Sequence, residues 1–160
     1  MIKMEVVVMN QISKTHYVTK VLIDIMFYGG IVCVLAVPWA VNFLNQWLYH
    51  GGHPWFQTVM VPVLVSSGIF AVAILFYLKK MFRTMLNGNP FVWENVSCFR
   101  KIAVCCACIA VIYLVKSFLL FSPATIVIVL MFSIGMLFCL TLKDLFKQAI
   151  TYKEENELTI

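Results

Sequence analysis

Four long apolar stretches limit what this chain can fold into. They run over residues 21–44, 59–78, 102–121 and 124–142. A helix needs about 20 apolar residues to cross the hydrocarbon core of a bilayer. Backbone amides in that core must be paired within a helix or a closed barrel, and the alternation typical of barrel strands is absent. The sequence therefore predicts an all-α fold, an integral membrane four-helix bundle.

The overall composition agrees with this class. Hydrophobic residues make up 62% of the 160 residues and charged residues only 12%, whereas soluble domains carry about a quarter charged residues. The length leaves room for one membrane domain and no sizeable soluble domain beside it. No basic stripe lies away from the predicted membrane helices, so we expect no direct contact with nucleic acid.

The positive charges predict the orientation. Eleven of the twelve Lys and Arg residues lie in the N-terminal segment 1–20, the loop 79–101 and the tail 143–160. Because cytoplasmic segments carry the excess of positive charge, we expect both termini and this loop to be cytoplasmic (N-in/C-in). The remaining one, Lys116, lies near the outer end of the third helix, where it could extend toward the headgroups.

Two details describe how the helices connect and continue. The first predicted span is interrupted near its outer end by Pro38 and Asn42, whereas Pro62 falls in the opening turn of the second. The third and fourth spans are joined by a very short connection, so we expect them to be antiparallel neighbours.

Apolar residues recur at helical spacing beyond the fourth span. Leu145, Phe146, Ala149 and Ile150 alternate with polar residues, which predicts a cytoplasmic extension of helix four with one apolar stripe. The stripe is either a surface that contacts the membrane interface or the bundle, or a docking face for a partner. The pattern alone favours the first interpretation.

Asp24 is the candidate polar residue inside the membrane. It lies one turn inside the first span, and an acid in hydrocarbon is a functional candidate because its burial is costly. The simpler interpretation places it at headgroup depth, paired with Lys20 four residues earlier.

The sequence offers no catalytic site. His50 and His53 form the best metal-like pair, but the outer loops hold no carboxylate to complete a site. Cys105, Cys106 and Cys108 lie close together on one helix and point in different directions, so small contact residues are their expected role. We expect no metal, no cofactor and no enzymatic activity.

The predicted inner loop and the C-terminus carry a recognisable pattern. Its parts are Gly88-Asn89-Pro90-Phe91, Glu94-Asn95, Phe99-Arg100-Lys101-Ile102 and the terminal Glu157-Leu158-Thr159-Ile160. With the four-helix layout, this pattern resembles the DUF2975-type family of small bacterial four-helix membrane proteins of unknown function. The resemblance implies location in the bacterial cytoplasmic membrane and a frequent neighbour, a small helix-turn-helix regulator encoded beside the gene. It implies no catalytic residues.

Two functions follow as hypotheses. The first is a non-enzymatic membrane protein that binds or sequesters a small cytoplasmic helix-turn-helix regulator. The residues expected to contact it are Leu145, Phe146, Ile150, Glu157, Leu158, Thr159, Ile160, Pro90, Phe91 and Glu94. The alternative is a small transporter, immunity or stress-resistance protein that binds a lipid or amphipathic ligand within the bundle, near Asp24. Small residues within the first two spans, Gly29-Gly30 and Ser66-Ser67-Gly68, suit close helix contact in the chain and leave self-association open.

Overall fold

The chain folds into four α-helices. The computed structural model describes the backbone of residues 2–49, 54–86 and 91–157, and the side chains of 17–47, 57–85 and 91–156. The helices are α1 (Ile2–Tyr49), α2 (Pro54–Leu86), α3 (Trp93–Leu119) and α4 (Pro123–Glu157). Within these ranges no strand is present, and all four helices are long and apolar enough to cross a membrane. The all-α membrane class predicted from sequence is confirmed.

Each helix lies beside the next one along the chain. Backbone contacts join α1 to α2, α2 to α3 and, most extensively, α3 to α4. In the described part of the chain, α1 and α4 do not approach each other closely. The bundle is therefore open between its first and last helices, and α3 is its most buried member.

The outward faces of the helices are apolar. Leu35, Leu130 and Phe138 each expose more than half of their surface. Water would penalise so much exposed hydrocarbon, whereas lipid tails would not. The surface agrees with a bundle whose solvent is the bilayer.

Three local expectations need correction. The segment 79–101 was expected to be a loop, but α2 continues to Leu86 and α3 starts at Trp93. Hydropathy marks where lipid ends, whereas the helices continue because buried Met81, Cys98 and Phe99 pack together beyond that limit.

The predicted proline effects are also different. Pro38 lies inside α1 without ending it, and Pro62 is more than two turns inside α2 rather than in its opening turn. Neighbouring helices and lipid keep such helices continuous, because the helical backbone remains the best-satisfied conformation in hydrocarbon.

The short connection between α3 and α4 agrees with the sequence. Leu120 is extended and donates its backbone N–H to the Lys116 carbonyl at 2.8 Å, which ends α3. Pro123 begins α4, where its missing N–H costs no helical hydrogen bond.

Candidate functional site

The charged side chains gather at one end of the bundle, which we call the charged end. It comprises Asp24 on α1, Lys79 and Lys80 on α2, Glu94, Arg100 and Lys101 on α3, and Lys143 and Glu154 on α4. Two ion pairs, Asp24–Lys79 and Lys80–Glu94, and a hydrogen bond from Trp93 to Glu154 connect the helices at this end. The opposite end, near the α3–α4 connection, has far fewer charges.

Asp24 is paired across helices rather than within its own. The Lys79 ammonium lies 2.7 Å from a carboxylate oxygen of Asp24, so the partner is Lys79 of α2 and not the expected Lys20. The same ammonium lies 5.3 Å and 5.5 Å from the ring centroids of Phe27 and Tyr28. These aromatic faces add a favourable contact to the ion pair. Asp24 therefore fixes α1 against α2.

Glu94 plays the corresponding part between α2 and α3. Its carboxylate lies 2.9 Å from the Lys80 ammonium, and it occupies the first turn of α3, where a negative charge complements the helix dipole. The neighbouring Trp93 indole N–H donates a hydrogen bond of 3.1 Å to Glu154 of α4. Both links are exposed, so they orient the helices more than they stabilise them.

An aromatic cluster lies beneath these polar links. The ring centroid of Phe146 on α4 is 5.0 Å from that of Phe99 and 5.5 Å from that of Phe91. Phe99 is also buried against Met81 of α2 and Cys98. One turn further along α4, Ile150 is only 3% exposed. The extension of α4 is thus packed onto the start of α3.

The residues predicted to bind a partner fall into three groups. Phe146 and Ile150 face inward, Phe91 and Glu94 lie at the surface of the charged end, and Leu145 points outward with 54% of its surface exposed. The backbone of Glu157 belongs to α4. The other predicted partner contacts lie outside the residues whose side chains are described: Pro90, Glu157, Leu158, Thr159 and Ile160. The metal-like pair His50 and His53 also lies outside them.

Sequence reasoning missed two features of this region. Tyr152 is 66% exposed and lies seven residues after Leu145, so both are on nearly the same face of α4. That spacing was visible in the sequence. The Trp93–Glu154 hydrogen bond joins residues 61 positions apart, and no local pattern could have indicated it.

Lys116 is buried at the opposite end instead of extending to the headgroups. It is 7% exposed, and its ammonium donates to the Thr125 hydroxyl at 2.9 Å. Thr125 is itself almost fully buried at the start of α4. This pair joins α3 to α4 where the connection between them is shortest.

An apolar cavity of about 320 Å³ lies in the middle of the bundle. All four helices contribute to it, and its lining includes Gly30, Val34, Gly68, Tyr113 and Phe132. Asp24, near which the ligand hypothesis placed the site, is not part of the lining, and neither are Pro38 and Asn42.

The cysteines form no disulfide among the described residues. Cys98, Cys105 and Cys106 are buried in α3, whereas Cys33 on α1 is exposed. Over the part of the chain that the structure describes, no group of three or more His, Cys, Asp or Glu side chains is arranged to hold a metal ion.

Comparison with known protein families covers nearly the whole chain. A family model described as Protein of unknown function (DUF2975) matches residues 9–160. No curated protein and no solved structure shows significant similarity to the chain. The match covers α2, α3 and α4 completely and most of α1. On this match the chain belongs to the DUF2975 family of proteins of unknown function.

Proposed function

We propose that this protein is a non-enzymatic multi-pass membrane protein whose charged end lies in the cytoplasm and binds a small helix-turn-helix regulator. The observation that carries the proposal is the extension of α4. It continues as a helix from the fourth predicted span to Glu157, about 20 Å beyond that span at 1.5 Å per residue.

The extension is a fixed platform. Phe146 and Ile150 pack it onto the rest of the bundle, and the exposed Trp93–Glu154 hydrogen bond helps to orient its far end. Because these contacts are already made, a partner would meet a surface that needs little ordering. Preformed surfaces bind with a smaller entropic cost than flexible ones.

The outward face suits a protein partner. Leu145 and Tyr152 provide an exposed apolar stripe, and Phe91 and Trp93 are also substantially exposed at the start of α3. Protein partners commonly recognise a helix through a few apolar side chains on one of its faces. Phe146 and Ile150 remain in the proposal as supports of this face rather than as contacts.

Charge gives a reason for a DNA-binding partner. The last seven residues contain Glu154, Glu155 and Glu157 and no basic residue. DNA-binding surfaces are rich in Lys and Arg because they neutralise phosphates, so an acidic terminal segment is complementary to them. Engagement of that surface would keep the regulator at the membrane and away from DNA.

Co-purification with the regulator tests this proposal. The probe is the helix-turn-helix protein that the proposal expects to be encoded beside this gene, co-expressed with the tagged full chain. We expect it to co-purify with the wild type and to be lost on truncation after Tyr152. The double substitution Leu145→Ser with Tyr152→Ser should weaken the complex about tenfold or more. Each change removes apolar surface that the regulator would bury on binding.

Leu119→Ser is the matched control. Leu119 is comparably exposed, but it lies at the opposite end of α3, so this variant should bind like the wild type. Binding that survives both the truncation and the double substitution would contradict the docking proposal. The proposal would also be contradicted if the intact wild-type membrane protein failed to co-purify with the neighbouring regulator.

The cavity favours a second candidate function, the binding of a lipid or amphipathic ligand within the bundle. Its volume of about 320 Å³ is at the lower end of the range for small-molecule sites. An amphiphile that remains bound through purification, and is lost when Ala71→Phe fills the cavity, would favour this function. Regulator binding unaffected by Ala71→Phe would favour the first.

A further inference from the structure

A second groove lies at the charged end, between α2 and α3. It has a volume of about 300 Å³ and lies apart from both the apolar cavity and the outward face of α4. Its lining consists of Tyr77, Ser97, Arg100, Lys101, Val104 and Cys105. Tyr77 comes from α2 and the other five residues from α3. Along α3, polar Ser97, Arg100 and Lys101 are followed by Val104 and Cys105 nearer the middle of the helix.

Among the residues whose side chains the structure describes, the two cations at the mouth of the groove have no carboxylate partner within ion-pair distance. The ion pairs of the described residues occupy Lys79, Lys80 and Lys143, whereas Arg100 and Lys101 take part in none of them. Lys101 instead lies over the Tyr77 ring, 5.3 Å from its centroid. Both side chains are exposed, so two positive charges are available to an incoming anion.

The floor of the groove is apolar and exposed. Val104 is 56% exposed, one turn beyond Arg100 and Lys101, and the apolar span predicted for α3 begins at residue 102. The cationic rim therefore lies about 6 Å from the apolar floor along the helix axis, counted from Arg100 to Val104, and the Ser97 hydroxyl lies about 10 Å from that floor. A soluble acidic peptide would leave that floor unused.

We propose that this groove binds an anionic phospholipid. Its phosphate would accept hydrogen bonds from the Arg100 guanidinium, the Lys101 ammonium and the Ser97 hydroxyl, and an acyl chain would lie along Val104. Arg suits bidentate contact with phosphate, and basic grooves between membrane helices are suited to anionic headgroups. The proposal is independent of the regulator.

Native mass spectrometry of the purified full chain in detergent tests it. Phosphatidylglycerol and phosphatidylcholine with identical acyl chains are titrated separately. We expect the wild type to bind phosphatidylglycerol more tightly. Arg100→Gln and Lys101→Gln should each weaken that binding about fivefold, and together about 25-fold, at about 1 kcal/mol per charge. Phosphatidylcholine binding should change less, because its choline cation offsets the charge of the phosphate.

Two further variants control for charge and folding. Lys147→Gln removes an exposed cation from α4 and should leave the preference for phosphatidylglycerol intact. The exchange Arg100→Lys with Lys101→Arg keeps both charges and should retain the preference. Millimolar inorganic phosphate should not displace the lipid, because it offers no acyl chain to the apolar floor.

Three results would overturn the proposal. One is equal affinity of the wild type for the two lipids. Another is an unchanged preference in the doubly neutralised variant. The third is displacement by inorganic phosphate alone, which would assign the rim to a soluble anion.

Discussion

The two ends of the bundle are held together in different ways. At the charged end, a polar link joins each pair of successive helices. These links are Asp24–Lys79, Lys80–Glu94 and Trp93–Glu154. At the opposite end, the described link is Lys116–Thr125, between α3 and α4. Polar contacts thus orient all four helices at the charged end, whereas at the opposite end the described polar contact orients α3 and α4.

Aromatic residues are used differently at the two ends. Phe91, Phe99 and Phe146 pack against one another at the charged end. At the opposite end, Trp39, Trp47, Phe118 and Phe121 are each more than 70% exposed, as expected for aromatic residues in the headgroup region. One end has an internal aromatic core that lies outside the apolar spans predicted from sequence, and the other presents its aromatic residues outward.

Removing the aromatic core of the charged end should have the largest effect. Phe99→Ala deletes a buried ring between α2 and α4, and such truncations cost about 3–5 kcal/mol. Phe118→Ala is the control, because Phe118 is 84% exposed. Thermal unfolding in detergent, followed by circular dichroism, should show a large loss for Phe99→Ala and almost none for Phe118→Ala. Equal losses would remove the distinction between the two ends.

The contact between α1 and α2 can be tested at its glycines. A Cβ atom at Gly68 would lie 2.6 Å from Cγ2 of Val34, whereas at Gly29 it would meet nothing within 4 Å. Gly68→Ala should therefore destabilise the pair by about 1–3 kcal/mol through overpacking. Gly29→Ala should be neutral or slightly stabilising, because Ala is the better helix former. A harmless Gly68→Ala would show that α1 is not held closely along its length.

The buried pair at the opposite end should show strong coupling. Thr125→Val leaves the Lys116 ammonium buried without its hydroxyl acceptor, which should cost about 1–3 kcal/mol. Lys116→Met removes the charge itself and should be neutral or stabilising. The double variant should regain most of the stability lost in Thr125→Val. Thermal unfolding of the two single variants and the double variant measures this coupling. If the two changes in stability simply add, the Lys116–Thr125 hydrogen bond is not formed.

The exposed ion pairs of the charged end should have the smallest effects. Neutralising Asp24 or Lys79 should cost more than neutralising Lys80 or Glu94, because the first pair is less exposed and lies beside Phe27 and Tyr28. Both couplings should decline at high ionic strength. Double-mutant cycles at low and high salt measure them. A larger, salt-independent coupling for Lys80–Glu94 would reverse the ranking.

The sequence predicted the class of fold well because hydrocarbon leaves the backbone few choices. Four apolar stretches, the neighbouring positions of α3 and α4, and the helical extension beyond residue 142 all follow from length, spacing and periodicity. The ends of α2 and α3 did not follow. They depend on burial of Met81 and Phe99 between helices, which is a tertiary effect that hydropathy does not report.

The site was less predictable than the fold. Phe146 and Ile150 have the spacing of a docking stripe, and the same spacing serves equally to bury them within the chain. Only the three-dimensional neighbours of each face separate Phe146 and Ile150 from outward-facing Leu145 and Tyr152. Similarly, helical spacing indicated Lys20 as the partner of Asp24, whereas the arrangement of α1 beside α2 brings Lys79 to it instead.

The sidedness of the charged end is the central claim, and cysteine labelling in intact cells tests it most directly. Tyr152→Cys marks the charged end and Ser122→Cys the α3–α4 connection, with the unmodified chain as the control for its six native cysteines. A membrane-impermeant maleimide should label Ser122→Cys in intact cells and Tyr152→Cys only after permeabilisation. Labelling of Tyr152→Cys from outside intact cells would place the charged end on the wrong side of the membrane for any cytoplasmic partner.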